Sequence, residues 1–323
     1  MQGKPKQISK LSVRDFYTKY RDILGMGLAA CEDGLDRAIS EPTVNRPGLA
    51  LAGFFTYFAK KRIQVLGNSE LSYLRSLPPA TRVERMEALC ESGPPCLVLS
   101  RGARLEKDLL AVAERMGLAV LTTPMITMKF INKATIKLEW EFAPVASEHG
   151  CMVDVRGIGV LVRGASGTGK SESVLGLVER GASLVADDLV HLRLVGGELI
   201  GMAPKIGRSL MEVRGVGLIN VHSLFGVAAV RLEKRLDFVV TLRHESALNE
   251  VDRLGVRRET VEILGVSLPH VELPVAPGRE VARLIEVAAL DQKLRSLGQD
   301  TAEDFNRRLL ESMKPVGDDR PIR

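Results

Sequence analysis

Eight consecutive residues, Gly164-Ala165-Ser166-Gly167-Thr168-Gly169-Lys170-Ser171, read G-x-x-x-x-G-K-S, the pattern of a Walker A phosphate cradle. Its glycines let backbone N–H groups close on a nucleotide's phosphates. Lys170 is long enough to reach the β- and γ-phosphates, and the Ser171 hydroxyl suits Mg²⁺. A β-like run precedes the motif and a helical run follows it, so a helix N-terminus points at the anion. Asp187 and Asp188 follow Lys170 by fewer than twenty residues, at the end of an apolar run. The metal-associated Asp of ordinary P-loop NTPases lies much farther along the chain. A strand ending beside the cradle would send one carboxylate toward the metal and the other toward an acceptor hydroxyl, as general base. An Asp-Asp pair at a strand end is by itself a turn signal; its distance from the cradle makes it a site. Residue chemistry alone thus reaches a phosphotransferase or an NTPase.

The elements that must hold these groups are legible in outline. Cys151 to Val155 and Ile158 to Arg163 are β-like runs separated by Arg156-Gly157, a hairpin whose second strand feeds the cradle. Glu172 to Arg180 is helical, with Val174, Leu175 and Val178 on one face and Gly181 as its stop. Ser183 to Ala186 leads into the two aspartates, and Gly196-Gly197 marks a further hairpin. Arg279 to Leu297 and Thr301 to Met313 read as amphipathic helices, the second capped by Thr301 with Asp304. Upstream, helices at Gly48 to Lys60 and Arg104 to Met116 alternate with strands at Ile63 to Leu66, Pro95 to Ser100 and Leu118 to Thr122. Thr127 to Pro144 reads as a connecting helix that carries the one tryptophan, Trp140. The expected fold is therefore α/β in two parts: a small N-terminal α/β domain over residues 1–132, regulatory or assembly in role, and a P-loop kinase domain from Lys133, over residues 133–323.

Composition narrows the function classes. A chain of 323 residues with 45% apolar content can build two cores. No run of about 18 apolar residues and no apolar N-terminal stretch is present, so a cytoplasmic protein with no membrane partner is expected. Cys31, Cys90, Cys96 and Cys151 form neither a disulfide framework nor a zinc pattern, and read as reduced, mostly buried thiols. The net charge of +5 is spread among 40 acidic residues and aromatic content is only 4%, which argues against a nucleic-acid partner.

Ordered blocks along the chain carry a more specific signal. His149-Gly150 leads into Val153-Asp154-Val155; the cradle ends in Gly-Lys-Ser-Glu172; then follow Leu184-Val185-Ala186-Asp187-Asp188, Met211 to Val221, Arg253-Leu254-Gly255, and Pro274-Val275-Ala276-Pro277-Gly278-Arg279. Arg46-Pro47-Gly48-Leu49, Arg62 to Gly67 and Ser72-Tyr73-Leu74 add to these upstream. Over nearly its whole length the sequence resembles the bifunctional HPr kinase/phosphorylase family. The resemblance implies a carboxykinase-like mixed sheet around the P-loop and phosphorylation of a serine of the small carrier protein HPr by ATP. It also implies the reverse step, in which inorganic phosphate attacks phosphoserine to release pyrophosphate at the same site. Asp188 would then be the proton acceptor of the kinase reaction and the donor of the reverse one; Ser171 and Glu212 would hold Mg²⁺ or Mn²⁺; His149, Lys170 and Arg253 would complete the catalytic set. Glu212-Val213-Arg214-Gly215-Val216-Gly217-Leu218-Ile219-Asn220 would be the signature segment, and Pro274 to Arg279 the segment tied to dephosphorylation. A homo-oligomer, a hexamer, is implied too. Two positions depart from the family pattern: Ala165 stands where an acidic residue is usual, and Ala276 where an arginine is common. The first leaves the backbone cradle intact; the second removes a guanidinium from the reverse-reaction segment. Other P-loop small-molecule kinases, a carboxykinase relative, and an ATP-binding regulator without phosphotransfer are the alternative readings. Asp188 argues against the regulator, which needs no second carboxylate at the γ-phosphate.

Overall fold

The computed structural model describes residues 6–244, 259–276 and 278–313. By contact density the chain divides into two units, residues 7–143 and residues 144–323, with Lys6 joined to the second through paired 2.8 Å backbone bonds with Val145. The division expected at Lys133 falls inside the helix Thr127–Phe142. Phe130, Ala134, Leu138 and Phe142 of that helix are buried in the core of the first unit, so the helix belongs there along its whole length.

In the first unit a five-stranded sheet runs Gly27–Ala30, Ala119–Thr122, Cys96–Leu99, Ile63–Leu66, Val44–Asn45. All neighbours are parallel except the first pair. Because side chains alternate along a strand, Ile63, Val65, Cys96 and Val98 face one core while Leu66, Leu97 and Leu99 face another, and helices cover both. Gln64, fully buried in this apolar strand, is satisfied by Asn45 and by the carbonyls of Ala59 and Arg62. Glu70 accepts from Arg46 and from the Gly67 amide, closing the first turn of the helix Asn68–Ser76. The helix expected over Gly48 to Lys60 is confined to Gly48–Leu51. Gly53 at φ 96° and Tyr57 at φ 60° take the left-handed conformation, which ends it.

The second unit holds a six-stranded mixed sheet in the order Ser183–Ala186, Cys151–Val155, Ile158–Gly164, Phe238–His244, Val266–Val275, Glu259–Ile263. Ile158–Gly164, Phe238–His244 and Val266–Val275 are mutually parallel, and the other contacts are antiparallel. One face packs Val153, Val160, Val162 and Val240 against Val174, Leu177 and Ile285 of the helices Lys170–Glu179 and Val281–Ser296. The other packs Met152, Leu161 and Val239 against Val190, Leu192 and Leu199 of a second, antiparallel sheet. That sheet runs Glu233–Arg235, Glu198–Met202, Leu189–Val195, Val145–His149. The helix Thr301–Ser312 is capped by Asp300, whose side chain accepts from the Glu303 amide, rather than by Thr301 with Asp304. No helix of the described residues is long and apolar enough to cross a membrane.

Candidate active site

The chain crosses between the two sheets of the second unit at three links among the described residues, and two of them meet at one edge. Gly150 alone links the strand Val145–His149 to the strand Cys151–Val155, and Asp187-Asp188 link Ser183–Ala186 to Leu189–Val195. The Gly150 amide donates to the Asp188 carbonyl at 3.0 Å, and His149 is the register partner of Leu189, so His149 and Asp188 are neighbours across the crossing. A Cβ on Gly150 would stand 2.5 Å from the Val162 carbonyl oxygen, and its φ is 153°; no other residue fits there. Beneath the crossing, Glu148 and Arg163 form a 2.7 Å ion pair, and Glu148 is only 4% exposed. Sequence reasoning missed this pair, because it depends on which strands face each other.

The carboxyl end of Ile158–Gly164 opens into the cradle at the same edge. Gly164, Gly167 and Gly169 all have positive φ, and a Cβ on Gly164 would lie 2.6 Å from the Thr168 hydroxyl and 2.9 Å from the Leu242 carbonyl oxygen. The cradle is exposed from Ala165 to Gly167 and passes directly into the helix Lys170–Glu179. The Lys170 ammonium donates to the carbonyls of Gly164 and Ala165, each at 3.1 Å. It thus lies over the loop, where an anion would draw it away from two neutral acceptors.

Asp187 ties the parts together. Its Oδ1 accepts from the Ser171 hydroxyl at 3.2 Å and from the Cys151 thiol at 2.8 Å, while Oδ2 accepts from the Glu212 amide at 3.0 Å. Cys151 is fully buried, and burial, reinforced by the Asp187 charge and hydrogen bond, pushes its thiol up to about 12. It therefore stays protonated and donates. Read from sequence as merely a buried thiol, Cys151 has this further partner because its strand pairs directly with the strand that ends at Asp187. Asp188 is exposed, with left-handed backbone at φ 61° that turns the chain toward the second sheet.

The signature segment forms a hairpin of Leu210–Val213 with Gly217–Asn220, in which Glu212 pairs with Leu218. Met211 and Val213 point into the core and Glu212 is exposed on the other face, beside Asp187. Asn220 caps the short helix Val221–Phe225 by accepting from the Ser223 amide. Arg214, Gly215 and Val216 form the exposed tip. Pro274 and Val275 end the strand Val266–Val275, and Arg279 donates its amide to the Ala276 carbonyl at 3.2 Å just ahead of the helix Val281–Ser296. Gly278 supplies a φ of 82° for that turn. Arg253 and Pro277 lie outside the described residues. Ligands of parallel sheets bind at the carboxyl ends of the strands, and here the cradle, Asp187-Asp188 and the Pro274 to Arg279 segment all start from that edge.

A cavity of 510 Å³ adjoins the cradle, lined by Gly164 to Thr168 and by Thr241, Leu242, Arg243 and His244. Among the described residues no three His, Cys, Asp or Glu side chains converge as a self-sufficient metal cage. Ser171, Asp187 and Glu212 offer hard oxygens beside the phosphate cradle, which is how Mg²⁺ is commonly held: one or two protein oxygens completed by phosphates and water.

The HPr Serine kinase N terminus model matches residues 11–138 and the HPr Serine kinase C-terminal domain model matches residues 140–309. The HPr kinase/phosphorylase of an Exiguobacterium species is 42% identical over 291 residues, covering 90% of this chain and 94% of the relative. That of Bacillus subtilis is 39% identical over 303 residues, covering 94% and 96%. A solved structure described as the Hpr(Ser) kinase/phosphatase from Coxiella burnetii is 31% identical, covering 49% of this chain and 97% of that one with a TM-score of 0.46. With the cradle, the paired aspartates and the signature hairpin at one sheet edge, and with both family models matched in order, the chain belongs to the HPr kinase/phosphorylase family.

Proposed function

We propose that this protein transfers the γ-phosphoryl group of ATP to a serine of HPr, and catalyses the phosphate-dependent removal of that group with release of pyrophosphate. The observation that carries the reading is the triangle of Ser171, Asp187 and the Glu212 amide set against the P-loop, with Asp188 next in the chain and exposed at the sheet crossing. A nucleotide sensor needs the cradle alone; the crossing adds a second carboxylate where an acceptor hydroxyl can meet it.

In the forward direction the serine oxygen attacks the γ-phosphorus, the bond to the ADP oxygen breaks, and the hydroxyl proton passes to a carboxylate oxygen of Asp188. Backbone amides of the cradle and the Lys170 ammonium stabilise charge on the transferring group. Mg²⁺ or Mn²⁺, held by Ser171 and Glu212 with Asp187 orienting Ser171, supplies further charge neutralisation when bound. His149, beside Asp188, and Arg253 complete the set. In the reverse direction an oxygen of inorganic phosphate attacks the phosphoserine phosphorus, pyrophosphate forms, and Asp188 returns the proton to the seryl oxygen. Both reactions can use one constellation, because the seryl oxygen, the transferring phosphoryl group and Asp188 take the same places in each, with ADP or phosphate on the far side of the phosphorus.

We also propose a cytoplasmic hexamer. The helix Thr301–Ser312 buries none of its residues within the chain and exposes Phe305, Leu309 and Leu310, which supports burial against other copies. Light scattering of the purified chain reads the assembly directly. The activity is tested by mass spectrometry of HPr after incubation with the enzyme, ATP and Mg²⁺. Serine phosphorylation reversed by phosphate, with pyrophosphate released, is the expected result; unmodified HPr sinks the assignment.

A further inference from the structure

The order of strands fixes a direction along the cradle. Beside the P-loop strand Ile158–Gly164, one flank carries Cys151–Val155 and then Ser183–Ala186, which ends at Asp187 and Asp188. The opposite flank is Phe238–His244. A nucleoside triphosphate is linear, and its γ end must meet Asp188 if that residue is to take the acceptor's proton. The nucleoside end must then leave the cradle on the other flank. The 510 Å³ cavity opens on that flank.

Gly164 is paired in register with Leu242, so Arg243 and His244 extend the neighbouring strand past the start of the loop, alongside the phosphate site. Both are exposed. The Arg243 Nε donates to Glu272 at 2.6 Å, which holds one edge of a guanidinium whose side chain is 49% exposed. A planar, fixed cation is suited to stacking on an aromatic base, and a flexible ammonium is not. His244 adds a second flat ring that can also donate to or accept from a ribose hydroxyl. A P-loop without such a neighbour binds polyphosphate with no means of distinguishing a nucleotide from an inorganic chain.

We propose that Arg243 and His244 receive the base and ribose of the phosphoryl donor and set the preference for a nucleotide over inorganic polyphosphate; the proposal rests on the kinase reading above. The test is calorimetric titration of the full chain, with Mg²⁺, against ATP and against inorganic tripolyphosphate. Arg243→Ala and His244→Ala are each expected to weaken ATP binding by about fivefold to tenfold, with tripolyphosphate affinity unchanged. Arg243→Lys keeps the charge without the plane and is expected to lose ATP affinity by several-fold too. Lys170→Ala weakens both ligands, which marks the behaviour of a phosphate contact. Equal weakening of both ligands in Arg243→Ala, or ATP affinity unchanged in either alanine variant or in Arg243→Lys, overturns the proposal. Thermal melting of each variant identifies any loss of fold, and a folded Arg243→Lys variant keeps the test decisive if Arg243→Ala unfolds. Binding is read without HPr, so a failure of HPr phosphorylation by the wild type would refute the kinase assignment separately.

Discussion

The Glu212 amide donates to Oδ2 of Asp187 at 3.0 Å, so the signature hairpin and the Asp-Asp crossing are held in register by a carboxylate whose other oxygen already accepts from Ser171 and Cys151. All three donors point at oxygens that can only accept. Asparagine at 187 presents an NH₂ on one side, and in either orientation that group faces a donor. Asp187→Asn is therefore expected to lower kinase activity by about 10- to 100-fold, the usual cost of losing a ligand-orienting partner, and to raise the Mg²⁺ concentration needed for half-maximal rate. Its loss should be smaller than that of Asp188→Asn. A Mg²⁺ titration at saturating ATP measures both quantities; an Asp187→Asn enzyme with unchanged Mg²⁺ dependence contradicts the orienting role.

Among the described residues Lys170 bonds only the carbonyls of Gly164 and Ala165, and Ala165 is exposed, so water can replace these contacts when the side chain is shortened. Lys170→Ala is expected to melt within a few degrees of the wild type and to lose turnover by about 10²-fold or more, as removal of a transition-state charge partner does. Rates and melting curves on one preparation decide the matter. A variant that keeps its turnover would exclude this loop as the active site.

Local pattern made part of this site legible and topology supplied the rest. The Walker A residues, the hairpin of Cys151–Val155 with Ile158–Gly164 and the strand ending at Asp187 are written in residue type and period, because each depends only on near neighbours. The helix expected over Gly48 to Lys60 stops at Leu51, since left-handed backbone at Gly53 and Tyr57 overrides its apolar spacing. Asp300 caps the last helix because the residue outside the first turn has the extended backbone a cap requires, and Thr301 is already helical. The Cys151 thiol on Asp187, the Glu148 to Arg163 pair and the Arg243 and His244 wall were not readable, since each joins segments through sheet register. The same holds for Gly150, whose need for glycine comes from the Val162 carbonyl on another strand.

Asp188 combines chemistry with backbone strain, and the substitution chosen must separate them. At φ 61° asparagine is tolerated nearly as well as aspartate, whereas alanine adds strain of about 1 kcal/mol. Asp188→Asn is expected to melt like the wild type and to bind ATP normally. Its serine phosphorylation should fall by about 10²- to 10⁴-fold, the range for a lost general base. Asp188→Ala should show the same kinetic loss with a lower melting temperature. If Asp188→Asn still phosphorylates HPr while Asp187→Asn does not, the roles given to the two carboxylates are reversed.

The reverse reaction makes a demand that the kinase reaction does not. Inorganic phosphate attacks where the ADP oxygen otherwise leaves, so it must be held on the flank of the cradle away from Asp188, close to a second anionic group. That requires positive charge or backbone N–H groups. The strand Val266–Val275 ends on this flank: Arg243 is in register with Pro274 and His244 with Val275. The Arg279 amide bonds the Ala276 carbonyl just ahead of the helix Val281–Ser296, whose N-terminus adds positive potential. We propose that, with alanine at 276 where the family resemblance implies arginine, Arg279 carries the greater burden. Arg279→Ala is expected to depress phosphate-dependent dephosphorylation of phosphoserine-HPr by about tenfold more than the kinase reaction, in line with loss of one charge-assisted contact. Ala276→Arg should raise the reverse rate and leave the forward rate nearly unchanged. Pyrophosphate release and HPr phosphorylation, measured for wild type and both variants at matched enzyme and phosphate, provide the comparison. Equal losses in both directions for Arg279→Ala would show that the segment supports the shared fold of the site and has no separate part in binding the attacking phosphate.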